Sequence, residues 1–235
     1  MSHILQHFPD SASLTEAVAK RWHEALVQRG SGRPFTVALS GGRTPKALYK
    51  AFAAIAGVGR LDNVHFFWGD ERMVPPSDED SNYKLAAVPL FLALKISETQ
   101  IHRVLTEHGE EFAVKQAESE ICRMAELNAS GQPVLDLVFL GMGEDGHVAS
   151  LFPDDQEAIE SQAVYRVVTG PKPPSLRITL GYPALAAARE VWVLASGEGK
   201  KKALKTSLAA EGDTPLARVL QSRENTVIFT DFVLE

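Results

Sequence analysis

The stretch "VFLGMGEDGHVASLFPD", residues 138–154, joins an apolar run to a glycine-rich turn. The run 138–140 predicts a buried strand, and three glycines follow it between positions 141 and 146. Glu144, Asp145 and His147 lie among these glycines. In open α/β sheets, ligands bind beyond the carboxyl ends of the strands. The stretch therefore predicts a strand of such a sheet with a functional site at its end.

Segments typical of strands and helices alternate on both sides of this stretch. Strands are predicted at 34–40, 64–69, 134–141, 163–168, 176–180, 190–195 and 226–230. Helices are predicted at about 13–29, from Thr44 onward, at 81–91 with an interruption near Pro89, at 110–127 and at about 200–210. This alternation favours a mainly parallel sheet with helices on both faces. We expect one doubly wound α/β domain over residues 1–235.

Two helix starts are predicted from their capping residues. Ser13 and Glu16 have the spacing of a capping box, and Gly30 is expected to end the helix that they begin. Thr44 is expected to be the N-cap of the next helix, with Pro45 at the first helical position.

The bulk composition excludes several classes of protein. The chain has 235 residues and a formal net charge of −6, which argues against a nucleic-acid surface but not against a small anionic ligand. Cys122 is the only cysteine, so no disulfide within the chain and no thiolate metal cluster is possible, and we expect a packing or surface role for it. The N-terminus lacks the pattern of a signal peptide, and no apolar run approaches the roughly 20 residues of a membrane span. We expect a cytoplasmic protein without a membrane partner.

Two further predicted strands end in polar motifs. LSGGRTP (39–45) leads into a helix, where the loop Ser40–Gly42 and unpaired N–H groups suit an anion; a plain turn is the alternative. WGDERMVPPSDEDSNY (68–83) places Asp70 and Arg72 at a strand end, where Arg72 could clamp a phosphate. The alternative is an ion pair in a solvated loop. The acidic run 77–82 lacks the pattern of an EF-hand, so we interpret it as a surface loop that caps the following helix.

The remaining candidates supply a base and a cation. His147, two residues after Asp145, suits proton transfer near neutral pH, and Asp145 could orient its ring; a structural histidine is the alternative. In LASGEGKKKAL (194–204), Lys200 is the best candidate to face the site, whereas Lys201 and Lys202 could equally be solvated. The sequence contains no nucleotide fingerprint and no plausible set of metal ligands. These residues fit a small, phosphorylated, hydroxyl-rich ligand.

Four motifs, in this order, resemble the 6-phosphogluconolactonase family of the pentose phosphate pathway: ALSGGRTP (38–45), FFWGDERMVPPSDEDSNY (66–83), DLVFLGMGEDGHVASLFP (136–153) and SGEGKKKAL (196–204). The resemblance extends from about residue 10 to residue 230. It implies a Rossmann-like fold and hydrolysis of 6-phospho-D-glucono-1,5-lactone to 6-phosphogluconate, without a metal or organic cofactor.

The resemblance also implies roles for individual residues. His147 would be the general base that activates water. Asp145 and Asp70 would lie nearby and would act as orienting groups or bind hydroxyl groups of the substrate. The residues that would hold the 6-phosphate are Arg72, Lys200, Ser40, Gly41, Gly42 and Thr44. Arg43 stands where many relatives carry a serine, so a guanidinium would replace a hydroxyl contact to the phosphate. Arg177 resembles a recurrent family position without a defined role, and structural support is an alternative for it.

Two other functions are compatible with this class of fold. A sugar-phosphate isomerase or deaminase resembles the chain at GMGEDGHVA, but it continues with an Asn-Glu-Pro-Gly-like segment where this chain has SLFPDD (150–155). A sugar-phosphate sensor of a transcriptional regulator would add a DNA-binding helix-turn-helix. The lactonase is therefore the function that the sequence favours.

Overall fold

Residues 3–29, 32–58 and 61–234 are described in the computed structural model of the chain. Eleven strands lie within these residues: β1 (His3–His7), β2 (Phe35–Leu39), β3 (Val64–Trp68), β4 (Asp70–Arg72), β5 (Glu126–Leu127), β6 (Pro133–Val134), β7 (Leu137–Gly141), β8 (Tyr165–Thr169), β9 (Leu176–Leu180), β10 (Glu190–Ala195) and β11 (Thr226–Thr230). The same residues form eight α-helices: α1 (Ser11–Gln28), α2 (Arg43–Ala56), α3 (Asn82–Ala86), α4 (Glu110–Met124), α5 (Gln156–Glu160), α6 (Tyr182–Ala187), α7 (Lys201–Leu208) and α8 (Pro215–Gln221). None of these helices is both long and apolar enough to cross a membrane.

The central sheet is parallel throughout and has the strand order β1–β11–β10–β7–β2–β3. Successive side chains of β7 enter different cores, as expected for a strand buried on both faces. Leu137 and Phe139 pack in a cluster that α1 and α2 cover, whereas Val138 and Leu140 pack in one that α4, α6, α7 and α8 cover. The prediction of a Rossmann-like, doubly wound sheet with helices on both faces is confirmed. The strand order of the parallel sheet reverses between β2 and β7, and such sheets bind ligands at this kind of position.

A second sheet was not anticipated. The predicted strands near 163–168 and 176–180 form β8 and β9, which pair antiparallel with each other and do not join the parallel sheet. Strand β9 also pairs antiparallel with β4. The chain passes from β3 through Gly69 directly into β4, and the Gly69 carbonyl accepts a hydrogen bond from the Leu180 N–H at 2.8 Å. Residues 70–72, expected in a loop, are therefore strand residues whose backbone groups are paired across a sheet.

Both predicted helix caps were wrong. Helix α1 begins two residues before Ser13, because the Asp10 carboxylate is the N-cap and accepts the Ser13 N–H at 2.7 Å. The expected end at Gly30 lies outside the described residues. The N-cap of α2 is Gly42 with φ +105°, and this places Thr44 in the first turn. A left-handed φ favours glycine over threonine, which explains the shift.

Other local predictions were confirmed. Ser81 caps α3 by accepting the Lys84 N–H, and near Pro89 the helix changes to a π-helical turn, Ala87–Leu92. Cys122 is half-buried against the core. Helices α5, α6 and α8 and strand β1 had not been predicted.

Candidate active site

A cavity of about 570 Å³ lies at the carboxyl ends of the parallel strands. All four polar strand ends contribute to it, and so does β9 of the second sheet. The predicted site residues that line it are Ser40, Gly41, Gly42, Arg43, Thr44, Asp70, Arg72, His147 and Lys200. Lys201 and Lys202 are not among the lining residues. The structure thus brings together residues that are up to 160 positions apart in the sequence.

The predicted acid–base pair is formed by a short hydrogen bond. Asp145 Oδ1 lies 2.6 Å from His147 Nδ1 and also accepts the His147 backbone N–H at 3.1 Å. Burial alone would raise the pKa of Asp145, but these bonds and the neighbouring imidazole lower it below its usual value. An ionised Asp145 fixes Nδ1 as the protonated ring nitrogen. Nε2, which has no partner among the described residues, is then free to accept a proton.

Two glycines make this arrangement possible, each for a different reason. At Gly143 the His147–Asp145 pair folds back so closely that a Cβ would lie 2.5 Å from Asp145 Oδ1. Gly146 has φ +83°, and a Cβ there would lie 2.8 Å from Thr214 Cβ. Gly143 is therefore required because other side chains approach it closely. Gly146 is required because of its backbone conformation and because Thr214 leaves no room for a Cβ.

Asp70 is only 5% exposed at the edge of the cavity, with a partner on each carboxylate oxygen. Ser150 donates its hydroxyl to Oδ2 at 2.7 Å, and the Asn82 amide approaches Oδ1 at 3.4 Å. The Ser150 N–H in turn donates to the Thr179 hydroxyl of β9. The side chain is therefore held in one orientation by α3 and by the segment that follows β7.

Glu71, the next residue, points away from the cavity lining and has a structural role. Its carboxylate accepts the backbone N–H groups of Arg72, Asn82 and Tyr83, each at 2.8 Å, and so ties the start of α3 to β4. Burial raises the pKa of Glu71 to about 7, against the lowering effect of these N–H donors.

Arg72 is joined in the cavity by Arg177, its direct partner across β4 and β9. Arg72 donates from one terminal nitrogen to the Asp80 carbonyl at 2.8 Å, while its buried Nε has no acceptor among the described residues. Desolvation and the neighbouring Arg72 lower the pKa of Arg177, which lies over the Phe152 ring. Two close guanidinium groups in the lining of one cavity favour an anionic ligand.

The loop 40–44 rests on Tyr49, a buried residue of α2. The Tyr49 hydroxyl accepts the Ser40 N–H at 3.0 Å and donates to the Ser40 carbonyl at 2.7 Å. The Ser40 hydroxyl accepts the Gly141 N–H at 3.1 Å, which joins the loops after β2 and β7. The first turn of α2, whose N–H groups and dipole favour an anion, thus opens into the cavity.

Lys200 lies on the opposite side of the cavity from β4, after β10. Desolvation lowers its pKa, and Asp231 and Glu144 oppose this effect while Arg43 adds to it. Asp231 also shapes the loop before Lys200, because its carboxylate accepts the Ser196 hydroxyl at 2.6 Å and the Gly197 N–H at 2.7 Å. The sequence analysis missed Asp231, although its position directly after the last parallel strand was a usable signal.

Other lining residues had been left without a role or had not been considered. Arg177 had no defined role, and the antiparallel pairing that brings it to Arg72 was not visible in the local pattern. Ser11 and Ser196 also line the cavity. Among the described residues, no group of three or more His, Cys, Asp or Glu side chains is arranged to hold a metal ion.

Comparison with known proteins identifies the family of this chain. Residues 9–228 match the family described as glucosamine-6-phosphate isomerases/6-phosphogluconolactonase. The 6-phosphogluconolactonase of Mycobacterium bovis is 34% identical over 239 residues, covering 98% of this chain and 96% of that protein. The structure of 6-phosphogluconolactonase from Trypanosoma brucei superimposes with a TM-score of 0.87 at 29% identity, covering 97% of this chain and 95% of that one. That from Thermotoga maritima gives a TM-score of 0.82 at 29% identity, with 97% and 99% covered. The chain belongs to the glucosamine-6-phosphate isomerase/6-phosphogluconolactonase family.

Proposed function

We propose that this protein is a 6-phosphogluconolactonase, which hydrolyses 6-phospho-D-glucono-1,5-lactone to 6-phospho-D-gluconate in the oxidative pentose phosphate pathway. The observation that carries the proposal is the Asp145–His147 pair at the edge of a cavity rich in cations. A base at one part of a cavity and an anion-binding region at another suit a substrate with an electrophilic carbonyl and a phosphate. The names of the similar proteins support the same reaction.

His147 acts as the general base in this proposal. Its Nε2 takes a proton from water as the water oxygen bonds to the lactone carbonyl carbon, and a tetrahedral oxyanion forms. When this intermediate collapses, the bond to the ring oxygen breaks and the imidazolium returns the proton to that oxygen, leaving an open-chain hydroxyl group and a carboxylic acid. Asp145 keeps the ring in the required tautomer and stabilises the imidazolium. Asp70 binds a sugar hydroxyl.

The 6-phosphate lies over the loop 40–44 in this proposal. Arg72 approaches it from β4, and Lys200 approaches from the β10 side. Gly41, Gly42 and the first turn of α2 offer backbone N–H groups. The further groups that complete this anion site are Ser40, Arg43, Thr44 and Arg177. The phosphate thereby compensates cations that the protein itself leaves only partly paired.

The test is hydrolysis of freshly made 6-phosphogluconolactone, coupled to 6-phosphogluconate dehydrogenase and corrected for spontaneous hydrolysis. The wild-type protein is expected to accelerate hydrolysis, and His147→Ala to lower kcat by roughly 10²–10⁴-fold. His108→Ala, an exposed histidine away from the cavity, is the matched control and should behave like the wild type. Full turnover in His147→Ala would exclude this residue as the base. If the wild type showed no lactonase activity, aminosugar phosphates would be tried next, as the isomerase part of the family requires.

A further inference from the structure

The Asn82 side chain occupies a buried position between two strand ends of the cavity. It is only 1% exposed, although its side chain ends in a polar amide group. Its Nδ2 donates to the Asp70 carbonyl at 2.8 Å and approaches the Asp70 carboxylate at 3.4 Å. Its backbone N–H is held by the Glu71 carboxylate at 2.8 Å. Asn82 is therefore fixed against the start of β4 through both its side chain and its backbone.

The other half of the amide faces the loop after β2. Oδ1 of Asn82 is buried and accepts no hydrogen bond from the described residues. A Cβ at Gly41 would lie 1.9 Å from this oxygen and 2.6 Å from the amide carbon. Gly41 is not among the glycines with a left-handed φ, so it is space and not conformation that requires glycine there. The loop rests directly on the Asn82 amide.

An unpaired buried acceptor costs about 1–3 kcal/mol. The Nδ2 half of the amide is explained by its bond to the Asp70 carbonyl, whereas the unpaired Oδ1 half is poorly explained by stability alone. Its two ends touch two parts of the cavity with different proposed tasks, the hydroxyl-binding Asp70 and the phosphate-binding loop 40–44.

We propose that Asn82 is a positioning residue that holds the Asp70 carboxylate and the loop at Gly41 at a fixed separation, so that the sugar and the phosphate of one substrate are bound together. This inference rests on the proposed lactonase function for its kinetic readout. Asn82 touches no reacting atom and acts through its two neighbours.

The test is a double-mutant cycle between the two sides of this contact. Gly41→Ala should raise KM for 6-phosphogluconolactone, because its methyl group meets the rigidly held amide. Asn82→Ala should lower kcat and raise KM, because Asp70 loses its amide partner and the loop loses its support. In the double variant the methyl group enters the space that the amide has left. Its KM should be at least about threefold lower than the product of the single effects predicts, a coupling typical of residues in contact.

Ser150→Ala is the matched control, since Ser150 donates to Asp70 and forms no hydrogen bond with the loop 40–44 among the described residues. It should lower kcat and should show no coupling to Gly41→Ala. Urea denaturation of every variant separates kinetic effects from losses of stability, and Asn82→Ser replaces Asn82→Ala if the latter does not fold. Multiplicative effects in the Gly41–Asn82 cycle, or an Asn82→Ala variant with reduced stability but wild-type kcat and KM, would overturn the inference.

A binding measurement separates this inference from the proposed function. The same cycle is repeated with 6-phosphogluconate in isothermal titration calorimetry, which needs no turnover. Coupling in binding without any lactonase activity would refute the function and retain the positioning role. Lactonase activity without coupling in either measurement would retain the proposed function and refute the positioning role of Asn82.

Discussion

Glu71→Gln tests how the protein stabilises a buried carboxyl group behind its active site. Glu71 is 3% exposed, and its two oxygens accept three backbone N–H groups. Glutamine has the same shape but only one acceptor oxygen, so its NH₂ group faces one of these donors. An unsatisfied buried N–H costs about 1–3 kcal/mol. We expect Glu71→Gln to be less stable than the wild type by that amount at pH 5, where the wild-type carboxyl is protonated.

The effect should depend on pH with a definite sign. Burial raises the pKa of Glu71 to about 7 from an ordinary value of 4.5, so the folded protein retains the proton more strongly than the unfolded chain. The resulting stabilisation is complete below pH 4.5 and is lost as the pH rises through 7. Between pH 5 and pH 8, the wild type should lose about 2–3 kcal/mol relative to Glu71→Gln, which does not titrate.

Urea denaturation of both proteins at several pH values between 5 and 8 measures this difference. Glu79→Gln is the matched control, because Glu79 lies in the same segment but is exposed, and Lys84 is its only ion-pair partner among the described residues. Its difference from the wild type should stay constant over this range. If the deficit of Glu71→Gln grew between pH 5 and pH 8, the N–H donors would outweigh burial, and the reasoning about this carboxyl would be refuted.

Three further predictions concern the site and the opposite end of β3. Asp145→Asn should lower kcat by about 10–100-fold, which is a smaller loss of kcat than for His147→Ala, and should change KM less than kcat. An unchanged kcat would show that the His147 ring does not need this partner. Arg72→Lys should raise KM for the phosphorylated lactone by about 10–100-fold, because a charged, forked contact is lost; unphosphorylated gluconolactone is the control substrate and should be affected much less. Burial, aided by His102, lowers the pKa of His65 to about 4, so the wild type should lose stability as the pH falls from about 6.5 to about 4. His65→Gln should reduce this loss by about 1 kcal/mol and not by more, since solvent screens a partly exposed group. Identical acid denaturation curves for the wild type and His65→Gln would contradict this prediction.

The four strand ends were predictable because each is encoded locally. An apolar run followed by glycine or by charged residues is visible in a short window, and parallel strands bring their carboxyl ends to one edge of the sheet. The placement of Lys200, and not Lys201 or Lys202, in the cavity agrees with that reasoning. The Asp145–His147 contact could also be anticipated, since the two residues are close in sequence.

The second sheet could not be derived in this way. Its pairing joins residues 70–72 to 177–179, more than 100 positions apart, and nothing within either segment identifies the partner. For this reason Asp70 and Arg72 were expected in a loop, and Arg177 remained without a role. Asn82 was hidden for a related reason, because it appeared to be one polar residue of an acidic surface loop and its burial depends on Gly41 and Asp70.

The passage of one strand from the first sheet into the second has a consequence for how this family could diversify. The Asp145–His147 pair lies after β7 of the parallel sheet, whereas Arg72 and Arg177 face the cavity from the antiparallel sheet. Side chains alternate along a strand, so inserting or deleting a single residue in β4 or β9 would turn an arginine to the other face. If the proposed function holds, preference for a phosphorylated substrate would thus be lost, or acquired by a relative, through one insertion or deletion that leaves the Asp145–His147 pair in place.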